Sequence, residues 1–288
     1  MKTYLCAIPS ALTALSTASL AGQATPQQPN ILVVVMDDIG FSDLQCYGSE
    51  IQTPTINKIA EQGVRYTRFH TSSLSAPTRA MLLTGVDNHQ NGEGCMQPLH
   101  CENQYMQAGY EGHLNSRVMT IAALLRQHGY ATAMAGKWHL GGGKGETPCY
   151  QGFERSFALI AGGAGHFAYH IPLGDEDAPV TFYVEDAKKV DVPADFFSST
   201  FYADKMVDYI KNTPKEKPFF GYLTFTAAHD PLQVVSDWKD KYKGQYDGGY
   251  EALIKARHKR MVELGLIDAD TPTDYKPFYP RPDWNTMP

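Results

Sequence analysis

Residues Ile31-Leu32-Val33-Val34-Val35-Met36 form an unbroken apolar run, and two carboxylates, Asp37 and Asp38, follow it directly. A strand that alternates apolar and polar side chains can leave one face in water, but this one cannot. Such a run fits a central strand buried on both faces, as in a parallel sheet covered by helices. In open sheets of that kind the ligand crevice lies beyond the carboxyl ends of the strands. Asp37 and Asp38 therefore stand where function is expected. Adjacent like charges repel, and shared ligation of Ca²⁺ or Mg²⁺ by hard oxygens would offset the repulsion; a solvated turn is the competing reading.

The rest of the chain alternates strands with helices. Thr53-Pro54 starts a helix that runs through Gln62 and ends at Gly63. Val64–Phe69 reads as a strand and is followed by a helix closed by Gly85. Residues 86–118 are rich in Gly, Asn and His and read as a long functional loop. Thr120–His128, backed by Gly129, predicts a helix that feeds a strand over Tyr130–Ala135. Residues 141–198 read as irregular, with a short strand around Phe182–Val184. Ser199–Asn212 is amphipathic, Phe219–Phe225 is another buried strand, and 236–265 is helical and polar. This alternation predicts an α/β fold with a doubly wound, mostly parallel sheet.

Composition limits the function classes. The net charge is -6, and the basic residues are scattered. Nucleic-acid binding, which needs a concentrated basic face, is not expected. An anionic ligand would have to be recognised by a few placed cations. Residues 1–24 read as a signal peptide, with Met1-Lys2 as the positive start and an apolar stretch from Leu5 to Leu20. That assigns 25–288 to the mature protein, periplasmic or secreted, with no later run near the roughly 20 apolar residues of a membrane span. The mature chain holds Cys46, Cys95, Cys101 and Cys149, and Cys95–Cys101 could close a small loop.

The chemistry-bearing segments are few. In Ser75-Ala76-Pro77-Thr78-Arg79, Pro77 suits the first helical position, which makes Ala76 the cap and puts Ser75 just outside the helix. Free N–H groups and the helix dipole favour an anion there, and Arg79, four residues on, can converge with Ser75 upon it. Gly136-Lys137-Trp138-His139-Leu140-Gly141 follows a strand, so Lys137 and His139 would share one face while Trp138 packs elsewhere. His229, in Ala228-His229-Asp230-Pro231, again lies at a strand's carboxyl end.

Together these segments resemble the sulfatase family, in which a cysteine or serine is converted to Cα-formylglycine. Ser75-x-Pro77-x-Arg79 with Thr84-Gly85 matches its signature, and Asp37-Asp38, Gly136–Gly141 and His229-x-Pro231 recur there in this order. Gly109–Asn115, Gly152–Phe157 and Tyr183–Asp186 are similar to stretches of bacterial arylsulfatases. The resemblance implies an alkaline-phosphatase-like fold and hydrolysis of a small-molecule sulfate monoester. It implies that Ser75 is oxidised by a radical-type maturating enzyme, and that Asp37, Asp38 and Ser75 hold a divalent cation, normally Ca²⁺, with Mg²⁺ as the substitute. Arg79 would hold and polarise the formylglycine, and Lys137 would contact the sulfate or the geminal diol. His139 would take the remaining diol proton, and His229 would protonate the leaving oxygen. After His229 the chain lacks the Asp-Asn segment that supplies the family's other metal ligands. The expectation is therefore an N-terminal portion, C-terminally truncated, with weak metal binding and impaired activity. Two other readings compete: a phosphate or phosphonate ester hydrolase using unmodified Ser75, and a non-catalytic remnant.

Overall fold

The computed structural model describes residues 28–105, 107–168, 182–273 and 282–286. The expected signal peptide, 1–24, lies outside the described residues. Its frame is one sheet of six strands: β1 (Ile31–Val35), β2 (Ala131–Lys137), β3 (Arg155–Leu159), β4 (Tyr183–Glu185), β5 (Lys188–Val190) and β6 (Phe219–Thr224). Their spatial order is β1-β6-β2-β3-β4-β5. The first four in space are parallel, and β4 and β5 add an antiparallel margin.

Helices cover both faces, as the doubly wound expectation requires. On one face α2 (Ser75–Thr84) and α4 (Ile121–Gln127) bury Ala76, Ala80, Leu83 and Ala122 against Met134, Phe220 and Tyr222. On the other, α5 (Ser198–Lys211) lays Tyr202 and Met206 over Ala135, Phe157, Leu159 and Leu223. Each face removes a continuous apolar layer from water, the dominant favourable term in folding. Among the described residues no helix is long and apolar enough to cross a membrane.

Several expectations are met at their predicted boundaries. Helix α1 (Pro54–Gln62) starts after Thr53 and stops at Gly63. Helix α4 is capped by the Thr120 hydroxyl, which accepts from Ala123 N–H at 3.1 Å. Gly85 closes α2 in the left-handed region at φ 66°.

Others need correction. Strand β1 is not central: it borders the sheet, and Leu32 and Val34 are about half exposed because α5 does not reach over them. Val64–Phe69 is not a strand; Val64, Tyr66 and Phe69 are exposed, and no strand pairs with them. Its contacts are instead to the loop before α1, where Arg65 donates to Cys46 O and the Tyr47 hydroxyl to Tyr66 O. β-Propensity expresses packing on a neighbouring strand, and none is supplied here. Within 141–198, reading the segment as irregular missed β3. The 86–118 loop is interrupted by a short helix, α3 (Asn88–Asn91). The polar 236–265 segment splits into α6 (Ser236–Lys239) and α7 (Gly249–Glu263). Cys95 and Cys101 are free thiols rather than a disulfide.

Candidate functional site

The carboxyl ends of β1, β6 and β2 are stitched together beyond the strands themselves. Asp37 N–H donates to Ala227 O at 3.0 Å and Ala228 N–H to Asp37 O at 2.7 Å. Thr224 Oγ1 donates to Lys137 O at 2.7 Å. Gly136 makes this closeness possible: a Cβ there would fall 1.8 Å from Thr224 O. The backbone ends thus bring Asp37, Lys137 and the Thr226–His229 segment into one crevice.

Helix α2 delivers the remaining groups. The structure corrects the helix start: Leu74 is the cap and Ser75 the first helical residue, while Pro77 sits in the first turn. Proline costs nothing there, because N–H groups of the first turn have no intrahelical acceptor. Ser75 Oγ accepts from Arg79 Nε at 2.9 Å. The same guanidinium donates through Nη1 to Lys137 O at 3.2 Å and lies 3.6 Å from Asp37 Oδ1. Lys137 Nζ donates to Asp37 Oδ2 at 2.5 Å. Ser75, Arg79, Lys137 and Asp37 therefore form one connected network.

The network is dry, and its charges do not cancel. Arg79 is 2% exposed, Lys137 0% and Asp37 5%. Two cations share one carboxylate, which leaves an excess positive charge beside the half-buried Ser75. Burial and the nearby Arg79 push the Lys137 ammonium down to about 8, against the upward pull of Asp37. A buried positive excess of this kind favours an anionic ligand.

His139 lies within electrostatic reach of Lys137, Arg79 and His229. Desolvation, reinforced by the charges of Lys137 and Arg79, drives its imidazole down to about 3, so it is neutral at pH 7. Its Nδ1 is buried without a hydrogen-bond partner. The shared face expected for Lys137 and His139 does not follow from strand alternation, because His139 turns to φ 58°. Trp138 packs into the core, as expected, with its indole N–H on Glu146 O. Asp38 also has positive φ, 55°. Left-handed non-glycine residues are uncommon and cluster at functional sites. The Asp38 side chain is 66% exposed and 4.0 Å from His229 Nε2. His229 Nδ1 stands 2.9 Å from Asp230 O. A carbonyl can only accept, so Nδ1 carries a proton and Nε2 is the nitrogen that faces outward.

All seven residues singled out in the sequence thus gather at the carboxyl end of the sheet: four are joined in the network, Asp38 and His229 face each other at 4.0 Å, and the His139 ring nitrogen Nδ1 is buried near Lys137 and Arg79. Sequence reasoning missed Thr224, which fixes the Lys137 carbonyl, and Gly162, where a Cβ would fall 2.6 Å from the His139 ring. Gly162 lies in a glycine-rich stretch, the one available signal. The residues present do not complete a cation sphere. Both Asp37 oxygens face cationic side chains, and among the described residues no group of three His, Cys, Asp or Glu side chains is arranged to hold an ion.

Comparison with known proteins gives a consistent result. The family model described as Sulfatase matches residues 29–269. An arylsulfatase of Klebsiella aerogenes is 45% identical over 265 residues, covering 91% of this chain and 57% of that protein. The crystal structure of Ps i-CgsB superposes with a TM-score of 0.64 at 26% identity, covering 83% of this chain and 55% of that one. The structure of BT4656 in complex with its substrate D-glucosamine-2-N,6-O-disulfate matches with a TM-score of 0.58 at 27% identity, covering 74% and 37%. The chain spans about half the length of the curated relatives it matches.

Proposed function

This chain belongs to the sulfatase family and has its alkaline-phosphatase-like fold, and from that premise we propose that it hydrolyses sulfate monoesters, with Ser75 as the residue converted to formylglycine. The observation that carries the reading is the connected network of Ser75, Arg79, Lys137 and Asp37, with its buried positive excess. The arylsulfatase type is proposed from the likeness to the Klebsiella enzyme. Maturation by a radical-type enzyme, which the serine implies, and export to the periplasm or medium belong to the same reading.

Each side chain has a task that its geometry suits. Position 75, once converted to formylglycine and hydrated, would supply the nucleophilic oxygen. Arg79 Nε orients that position from 2.9 Å. Lys137 and Arg79 offset the charge that develops on the sulfuryl oxygens, in a site where low dielectric strengthens the effect. His139, neutral at working pH, can accept a proton from position 75. His229 has its Nδ1 proton committed to the Asp230 carbonyl; as imidazolium it would carry a second proton on Nε2 and give that one to the leaving oxygen, returning to the neutral Nδ1–H ring.

Asp37, Asp38 and Ser75 are the proposed ligands for Ca²⁺ or Mg²⁺ from this stretch of chain. Two carboxylates fall short of the about six to eight oxygens Ca²⁺ prefers, so binding is expected to be weak and turnover impaired.

The test is hydrolysis of 4-nitrophenyl sulfate and 4-nitrophenyl phosphate after co-expression with a radical-type maturating enzyme. Sulfate-ester turnover about 100-fold or more above that of Ser75→Ala supports the reading. Turnover confined to the phosphate ester, with unmodified serine, would replace it by phosphate-ester hydrolysis. Loss of neither activity on Ser75→Ala would remove the site altogether.

A further inference from the structure

The oxygens proposed as cation ligands are each engaged within the fold or turned out of it. Asp37 Oδ2 accepts from Lys137 Nζ at 2.5 Å, and Arg79 Nη2 lies 3.6 Å from Asp37 Oδ1. Ser75 Oγ accepts from Arg79 Nε at 2.9 Å. The Asp38 side chain is mostly exposed and faces His229 Nε2 at 4.0 Å. The best-buried of the three ligands is thus the one already bound by cationic side chains.

The Lys137–Asp37 pair is built from both sides. Asp37 is pinned by its main chain, which donates to Ala227 O at 3.0 Å and accepts from Ala228 N–H at 2.7 Å. Lys137 ends β2 opposite Leu159, and its carbonyl accepts from Thr224 Oγ1 at 2.7 Å and Arg79 Nη1 at 3.2 Å. The sheet itself therefore delivers the ammonium to the carboxylate. Asp37 brings one negative charge against the two positive charges of Lys137 and Arg79. A divalent cation on the same carboxylate would stand within a few ångströms of both, in a dry site where charges are little screened. Even with Asp38 drawn in, two carboxylates would face four positive charges.

Resting on the reading of Asp37, Asp38 and Ser75 as the cation ligands, we infer that Lys137 stands in for the cation at Asp37. This chain holds the centre of its site as a lysine–aspartate ion pair, and a divalent cation binds there only in competition with the ammonium. The consequence has a definite sign. Lys137 is a rival for the carboxylate, so removing its charge strengthens cation binding. A lysine that merely supported the site would, when removed, weaken that binding or leave it unchanged.

The experiment titrates the 288-residue protein with Ca²⁺ by isothermal calorimetry and follows the Ca²⁺-dependent shift in Tm, with no need for turnover. Lys137→Met is expected to bind Ca²⁺ about tenfold or more tightly than wild type, because the carboxylate it leaves buried lacks its partner, and to show the larger rise in Tm. Lys137→Arg, which keeps the charge, is expected to bind as weakly as wild type. Adding Asp37→Asn to Lys137→Met should remove the gain. If Lys137→Met does not fold without the ion, Lys137→Gln, neutral but still able to donate a hydrogen bond, carries the same comparison. A folded Lys137→Met or Lys137→Gln protein that binds Ca²⁺ no better than wild type would overturn the inference. So would an equal gain in Lys137→Arg, or failure of both neutral variants to fold even with Ca²⁺ present. Asp38→Asn separates the premise: if Lys137→Met keeps its full gain in that background, Asp38 is not a ligand, while competition at Asp37 still stands.

Discussion

Lys137 and Asp37 are buried charges whose pairing has a definite cost and purpose. A lysine ammonium out of water is tolerated only with a partner, and Asp37 Oδ2 at 2.5 Å is that partner. Lys137→Met would leave Asp37 with Arg79 alone, at 3.6 Å, and is expected to destabilise by about 3 kcal/mol in denaturant titration. Asp37→Asn should cost a comparable amount by leaving two cations facing each other. The double variant should cost less than the sum, because neither the Asp37 nor the Lys137 charge is then left buried without the other. Strict additivity would mean the pair is not coupled. At this scale the sequence was informative: the strand-end positions of Asp37, Lys137 and His229 and the spacing of Ser75 to Arg79 were enough to gather the site. The conformation of His139 and the supporting roles of Thr224 and Gly162 were not legible, because they depend on close approach between segments far apart in the chain.

Elements were legible where their ends carry punctuation. Thr53-Pro54 with Gly63, and Thr120 with Gly129, mark α1 and α4 through capping chemistry that is local to the chain. Strand β3, Arg155–Leu159, has no such mark; its burial is imposed by β2 on one side and β4 on the other. Helix α7 shows the same limit. Its sequence looks merely polar, yet Arg257 reaches across to Glu50 at 2.8 Å and Asp43 at 2.5 Å, and Asp43 Oδ2 in turn accepts from Gly40 N–H just after Asp38. The Arg257 hydrogen bonds hold the Glu50 carboxyl down to about 2 from an ordinary 4.5. A depressed carboxylate stabilises the fold above its unfolded pKa and ceases to do so as pH falls through its folded one. Stability from this clamp is therefore complete above about pH 4.5 and lost toward pH 2. Acid unfolding followed by circular dichroism should show wild type losing its advantage over Glu50→Gln across that window. A pH-independent difference would contradict the clamp.

The sheet is open, with β1 and β5 at its two margins. Among the described residues nothing pairs with the outer edge of β1, and Leu32 and Val34 present half-exposed apolar side chains on the face α5 leaves uncovered. An edge of this kind is a template for association. Sedimentation velocity is expected to show concentration-dependent self-association that Val34→Lys suppresses; an unchanged monomer across the concentration range would show that the edge is silent. The apolar run that opened the sequence reading identified a parallel sheet correctly but placed β1 at its centre, because composition reports what a strand can tolerate and not which neighbours this stretch of chain provides. The site at the carboxyl end of that strand rests on Ser75. The most direct measurement is the mass of the Ser75-containing peptide after co-expression with a radical-type maturating enzyme. Oxidation to formylglycine removes two hydrogens, and the account predicts a peptide lighter by about 2 Da; a peptide carrying only unmodified serine would contradict it.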